Sequence, residues 1–97
     1  MLRHVVVFTL QPDVTADRAA ELAAGLNALV GKVPSLRAMT AGVDLGLTAG
    51  AGQLCLVADF DDAEGWQAYQ EHPDHVAAAT PIRAVIKERA ASQFLVP

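Results

Sequence analysis

Alternating apolar residues near the amino terminus predict a first β-strand. Between His4 and Leu10, β-branched and aromatic residues dominate, and the run is too short for a buried helix. A period of two divides the run into a face with His4, Val6, Phe8 and Leu10 and a face with Val5, Val7 and Thr9. Both faces are largely apolar, so we expect both to be covered.

The next segment repeats its apolar residues at helical spacing. Thr15 is placed to cap a helix, and Asp17 lies near its positive end. The repeating positions are Ala19, Leu22, Ala23, Leu26, Leu29, Val30 and Val33. They predict an amphipathic helix of about five turns that ends before Pro34.

Two further strands are predicted in the middle of the chain. Residues 35–45 indicate a second strand, and the glycine-rich residues 46–52 indicate a flexible loop. Residues 53–60 indicate a clear third strand. Its alternation places Leu54, Leu56, Ala58 and Phe60 on one face and Gln53, Cys55, Val57 and Asp59 on the other.

Two helices and a last strand complete the pattern. The acidic pair at residues 61–62 caps a short helix that is predicted to stop before Pro73, since proline disfavours helical geometry in the residue preceding it. Asp74 is placed to cap a further helix that extends to about residue 88, with an interruption at Pro81. Residues 90–96 indicate the final strand.

The order of these elements predicts the fold class. A β-α-β-β-α-β succession is typical of a ferredoxin-like α+β domain, in which helices cover one face of an antiparallel sheet. We expect residues 1–97 to form a single domain of this kind. The uncovered face would carry Val5, Val7, Cys55 and Val57. A second copy of the chain, packed sheet to sheet in a homodimer, would cover these residues.

Composition supports a partner of the same kind and argues against others. Hydrophobic residues make up 53% of a 97-residue chain, which is a surplus for so small a body. The net charge of −4 and the lack of a basic cluster argue against nucleic acid. Arg83, Lys87 and Arg89 are interpreted as a solvated helix face.

Neither a membrane span nor a secretory signal is predicted. No stretch approaches the roughly 20 apolar residues that cross a bilayer, and the start of the chain lacks a cleavage-site pattern. We therefore expect a cytoplasmic protein with no membrane partner. The single cysteine, Cys55, lies in an apolar run and is expected to be a buried, inert thiol.

Three histidines and a tyrosine are the candidate chemical groups. His4 lies on the strand face that should point at the helices, and Tyr69, His72 and His75 surround the turn between two helices. A histidine moves protons near neutral pH, and a tyrosine hydroxyl donates to a carbonyl oxygen that gains charge. Structural alternatives stay open for each. His75 is a base, a loop-bonding residue or a metal ligand, and His4, Tyr69 and Trp66 are also plausible core residues.

These residues carry a resemblance to a known family. The alternating run from His4 to Phe8, the segment Phe60–Asp62, and the motif Tyr-x-x-His-Pro-x-His at residues 69–75 resemble the stress-responsive dimeric α/β-barrel family, called Dabb. Gly42 matches a glycine of the second strand, and the resemblance covers essentially the whole chain. It implies a homodimer whose two sheets close into a barrel.

The resemblance also implies a site. One branch of the family is similar to plant olivetolic acid cyclase, which folds a linear polyketide by intramolecular aldol condensation. By that likeness His75 is the base and Tyr69 holds the substrate, without a cofactor or a metal ion. The expected lining of the pocket for a small hydrophobic ligand is His4, Val6, Phe8, Leu22, Leu26, Leu56, Trp66 and Ile86.

Departures from the family keep other functions open. The last strand usually carries an aspartate where this chain has Gln93, and the first helix presents Leu22 and Leu26 where the cyclase has aromatic walls. The first hypothesis is therefore a polyketide cyclase-like enzyme acting on a hydrophobic carbonyl compound. The alternatives are a non-enzymatic stress-responsive binding or assembly module and a cofactor-free or haem-using monooxygenase-like barrel.

Overall fold

Four antiparallel strands and three helices follow one another in the predicted ferredoxin-like order. The computed structural model describes residues 1–49 and 52–97, so two residues of the predicted 46–52 loop lie outside the described part. The elements are β1 Leu2–Leu10, α1 Ala16–Asn27, β2 Ala38–Val43, β3 Leu54–Phe60, α2 Ala63–Glu71, α3 Pro73–Arg83 and β4 Ile86–Leu95. The sheet order is β2-β3-β1-β4. No helix in the described ranges has the length and apolar character needed to cross a membrane.

The core lies between α1 and the helix-facing side of the sheet. Val6, Phe8 and Leu10 of β1 are buried together with Leu54 and Leu56 of β3, as the period of two predicts. The periodic face of α1 packs onto them through Ala19, Leu22, Ala23 and Leu26. The Thr15 hydroxyl caps this helix by accepting a hydrogen bond of 3.1 Å from the Arg18 backbone N–H.

Helix α1 ends earlier than its apolar period predicts. It stops at Asn27, although Leu29 and Val33 beyond it are buried. Gly31 adopts a φ of +88°, a left-handed conformation that a right-handed helix excludes. Asn27 also pairs with the β2 backbone, since its amide donates to the Ala41 carbonyl (3.0 Å) and accepts from the Ala41 N–H (2.8 Å). The last apolar positions of the period, Leu29 and Val33, therefore lie in the turn that follows α1 and not in the helix.

The boundary between α2 and α3 consists of one residue. His72 is both the C-cap of α2 and the N-cap of α3, and its Nδ1 accepts a hydrogen bond of 3.1 Å from the Asp74 N–H. The prediction that Asp74 caps the third helix is therefore wrong, because Pro73 already occupies the first helical position, which suits its fixed φ. The motif at residues 69–75 is therefore divided between two helices that follow each other without a loop.

The end of α3 and the start of β4 also differ from the prediction. The helix ends at Arg83, not near residue 88, and β4 begins at Ile86 rather than at residue 90. Pro81 lies within the last turn of α3, where it removes one i→i−4 hydrogen bond, and the helix ends two residues later. Arg83 therefore belongs to a helix end, whereas Lys87 and Arg89 belong to a strand, and the predicted basic helix face does not form.

The second face of the sheet is open and largely apolar. Val5 pairs with Val57, and Val7 pairs with Cys55, on this side of β1 and β3. Val7 and Val57 are 39% and 38% exposed. Cys55 is exposed as well, so the expectation of a buried thiol is wrong, because its strand position points away from the helices.

A paired charge also lies on the open face. Two guanidinium nitrogens of Arg3 donate to the two carboxylate oxygens of Asp59 at 2.8 and 3.0 Å. This bidentate hydrogen bond, followed by the attraction of the two charges, holds the pKa of Asp59 below its usual value against the opposing effect of burial. The open face therefore carries apolar side chains and a neutralised pair of charges.

Candidate active site

A cavity of about 90 Å³ lies between the sheet and the helices. Eight of the residues predicted from the sequence line it: His4, Val6, Phe8, Leu26, Leu56, Tyr69, His75 and Ile86. A wider depression of about 390 Å³ beside the start of α1 has Asp44 as the one titratable residue among the described residues that line it. The smaller cavity is therefore the candidate active site.

Two predicted site residues lie elsewhere. Leu22 is buried in the core beneath α1 and does not line the cavity. Trp66 also lies outside the lining, and its ring stands edge-on to the His4 ring with centroids 6.0 Å apart. Helical spacing alone does not distinguish a residue that fills the core from one that borders a cavity.

Tyr69 and His75 meet across the junction of α2 and α3. Their ring centroids are 4.1 Å apart, and the Phe60 ring packs on Tyr69 at 5.0 Å. Tyr69 lies in the last turn of α2, and His75 lies in the first turn of α3. The single shared cap residue between the helices brings residues six positions apart into contact.

His75 is oriented as a proton acceptor. Its Nδ1 lies 3.2 Å from the Gln70 carbonyl oxygen, which only accepts, so Nδ1 carries the proton and Nε2 has the free electron pair. Burial lowers the pKa of His75, and the positive charges of Arg83 and Arg89 add to this effect, while the bond to Gln70 opposes it. The imidazole is therefore neutral at pH 7 and available as a base.

Tyr69 offers a hydroxyl with no partner. The residue is 1% exposed, and its hydroxyl oxygen is buried without a hydrogen bond to any described residue. Burial raises the pKa of Tyr69 to about 12, so the group stays protonated and donates. An unmade bond of this kind costs about 1–3 kcal/mol, which a ligand oxygen in the cavity would recover.

His4 is held neutral by a neighbour on β4. The Gln93 Nε2 lies 2.8 Å from the His4 Nδ1, so the amide donates and the imidazole proton is on Nε2. Burial, aided by the charges of Arg89 and His75, lowers the pKa of His4 to about 4. His4 therefore presents the cavity with a neutral donor, not with a cation.

The other chemistries considered from the sequence find no matching donors here. Within residues 1–49 and 52–97, no group of three or more His, Cys, Asp or Glu side chains could hold a metal ion. The cavity of about 90 Å³ is also much smaller than a haem group. What the cavity offers is a neutral base and hydrogen-bond donors.

A family profile described as the stress responsive A/B barrel domain, Dabb, matches residues 2–96. The chain belongs to the Dabb family. The family identified from the motif at residues 69–75 is thereby confirmed. No curated protein matches this Dabb chain significantly.

Solved structures agree with the Dabb fold. A dimeric ferredoxin-like protein of unknown function from Thermobifida fusca is 38% identical, with a TM-score of 0.89 over 98% of this chain and 90% of its own. A hydroxynitrile lyase from Passiflora edulis is 14% identical, with a TM-score of 0.84 over 99% and 93%. A cofactor-independent oxygenase from Streptomyces nogalater is 16% identical, with a TM-score of 0.76 over 98% and 91%. The two enzymes share the fold with this Dabb domain.

Sequence reasoning missed five residues of the Dabb cavity. They are Gln70, Ala79, Ile82, Arg83 and Arg89. Gln70 fixes the proton on His75 through its backbone carbonyl, which no side-chain motif reveals. Arg89 could have been found by extending the last strand toward residue 86, since alternation would then place it on the same face as Gln93.

Proposed function

We propose that this Dabb domain is an enzyme that removes a proton from a carbon next to a carbonyl group, as aldol-type cyclases and lyases do. The observation that carries the proposal is the pairing, in one cavity, of a neutral histidine with a free Nε2 and a buried tyrosine hydroxyl without a partner. Acid–base catalysis of this kind needs both a base for the proton and a donor for the oxygen that becomes negative.

The reaction follows from these two groups. His75 Nε2 takes the carbon-bound proton, the C–H electron pair forms a carbon–carbon double bond, and the carbonyl oxygen becomes an enolate oxygen that accepts a hydrogen bond from Tyr69. The enolate carbon then attacks a second carbonyl of the same molecule. The imidazolium of His75 returns its proton to the alkoxide formed there. The Gln70 carbonyl supports the imidazolium through Nδ1–H.

The cavity favours a short substrate over a long polyketide. Its volume of about 90 Å³ lies well below the roughly 300–1,000 Å³ of pockets that enclose drug-sized ligands. Val6, Phe8 and Leu56 provide apolar walls. The reacting carbonyl segment is therefore small, and any longer substituent has to extend through the opening.

Exchange of a carbon-bound proton for deuterium tests the proposal directly. Methyl acetoacetate in heavy water, followed by NMR, reports proton removal without requiring the full reaction. Replacing His75 with Ala should slow the catalysed exchange by about 10²–10⁴-fold, the usual contribution of a general base. His72→Asn is the matched control, because asparagine keeps the helix cap and removes a histidine that does not line the cavity. Equal exchange by wild type and His75→Ala would overturn the assignment.

The small size of the cavity favours a second candidate, a stress-responsive binding module. In that case Tyr69 and His75 hold a small ligand and complete the packing beneath the helices. His75→Ala would then lower the melting temperature, while wild type and variant would both fail to accelerate exchange. A rate above background for the wild type excludes this second function.

We also infer that the domain works as a homodimer that buries the open face of its sheet. Val7, Val57 and Phe94 are 39%, 38% and 49% exposed there, with Cys55 between the two valines. An apolar patch of this kind is typical of a protein interface. The 38% identical protein from Thermobifida fusca is dimeric, which supports the same assembly here.

A further inference from the structure

The charge of the cavity is opposite to the charge of the chain. The sequence has 11 acidic and 7 basic residues. Arg83 and Arg89 nevertheless line the cavity, and no Asp or Glu among the described residues does. Three ion pairs form in the described part of the chain, and neither of these arginines takes part in them. Two unneutralised cations therefore face one small hollow.

The arginines and the reactive groups occupy different depths. Tyr69 and His75 are 1% and 7% exposed, whereas Arg83 and Arg89 are exposed residues. Arg83 is the last residue of α3, and Arg89 lies on β4 opposite Phe8, so its side chain is on the helix-facing side of the sheet. The base and the donor thus lie inside, and the two cations lie at the opening.

We propose that the substrate is a short oxo acid whose carboxylate binds Arg83 and Arg89 while its carbonyl group reaches Tyr69. The assignment of the carbonyl rests on the proposed function, and the anion site rests on the arginines alone. A guanidinium presents parallel N–H donors that match the two oxygens of a carboxylate. Cations on one side of a small cavity also attract and orient such an anion as it enters.

The same arrangement links binding to the strength of the base. The charges of Arg83 and Arg89 help to keep the pKa of His75 below its ordinary value while the site is empty. A carboxylate placed on the arginines offsets those charges, so the pKa of His75 should rise when the acid binds. A neutral ester of the same length would leave the base weaker.

Paired acids and esters test the inference. Acetoacetate and levulinate carry the carboxylate at two distances from the ketone, and their methyl esters lack the charge. Titration of the full chain followed by NMR should show at least one acid binding about tenfold more tightly than its ester. Arg83→Gln and Arg89→Gln should each reduce that preference, and the double variant should abolish it. Lys87→Gln removes the same charge from β4 outside the cavity and should retain it.

Several outcomes would overturn the inference. Two of them concern the preference for the acid: equal affinities for acid and ester, and a preference that survives in the double variant. A third is failure of both acids to bind at millimolar concentration. The fourth is displacement of the acid by inorganic phosphate at equal concentration, which would indicate a general anion site. Deuterium exchange separates this failure from that of the proposed function. If deuterium exchange of the ester depends on His75 but the acid is not preferred, only the oxo acid proposal is disproved. If the acid binds in a way that depends on the two arginines but no deuterium exchange is catalysed, only the proposed enolate chemistry is disproved.

Discussion

The two sides of the sheet differ in how they accommodate polar groups. On the covered side, the buried polar groups are His4 of β1 and Tyr69 and His75 of the helices, and burial favours the neutral form of all three. On the open face, Arg3 and Asp59 are charged and neutralise each other in a bidentate pair. Burial penalises an unpaired charge, so the buried groups of the covered side are neutral, whereas the charges on the open face are matched to each other.

The largest expected effect is loss of the dimer through a substitution on the open face. Val57→Asp adds a carboxylate to the open face, two residues from Asp59, and should weaken the dimer about a thousandfold, or about 4 kcal/mol, because an unpaired charge would be buried. Sedimentation over a range of concentrations measures this. Val76→Asp, on the surface of α3, is the matched control and should remain dimeric. Catalysed exchange per chain should persist, since Tyr69 and His75 lie on the helix-covered side of the sheet, away from the open face. A Val57→Asp dimer of undiminished affinity would disprove the interface.

Acid should destabilise the covered face through His4. The pKa of His4 is about 4 in the fold against 6.5 in the unfolded chain, so the unfolded state takes up a proton first as the pH falls. This contribution to stability is complete above pH 6.5 and is lost between pH 6.5 and about 4, amounting to about 3 kcal/mol. Urea unfolding at a series of pH values measures the loss. His4→Gln, which does not titrate there, should show a shallower pH dependence, and an identical slope would contradict the assignment.

Tyr69→Phe should change stability and activity in opposite directions. Removing the unpartnered hydroxyl should raise the free energy of unfolding by about 1 kcal/mol, seen as a melting temperature higher by about 4–8 °C. The same change should slow deuterium exchange about a hundredfold, because the enolate oxygen loses its donor. A variant that is both less stable and fully active would show that the hydroxyl serves the fold rather than the reaction.

The smallest effect concerns the residue that departs from the family pattern. Gln93→Glu replaces the amide beside His4 with a carboxylate, which favours the charged imidazolium and should raise the pKa of His4 by about one. NMR titration of the ring protons measures the shift. Gln93→Ala controls for the lost amide, and equal values in the two variants would mean that residue 93 does not govern His4.

Strand alternation and the histidine motif made most of the fold predictable. The helix-facing residues of β1 and β3 and the start of α1 follow from periods that packing obeys. The errors lie where local chemistry overrides a period. Gly31 turns the chain while Leu29 and Val33 remain buried. The interruption expected at Pro81 does not occur, because α3 continues to Arg83.

The site was predictable in its centre and not at its opening. The sequence motif includes Tyr69 and His75, and the first strand includes His4, but the hydrogen bonds that set their protons come from the Gln70 backbone and from Gln93. The sequence pattern places Arg89 on a solvated helix, because β4 starts four residues earlier than its apolar residues indicate. Contacts between distant segments decide these features, and no spacing within one segment encodes them.

The one-residue junction at His72 constrains how this protein can vary over time. Each residue of an α-helix turns the chain by about 100°, so one inserted or deleted residue between Tyr69 and His75 would swing the imidazole away from the phenol. Side chains around the junction can be exchanged one for another, but its length cannot change. Homologues that carry a gap there should lack the proposed reaction even when both residues persist.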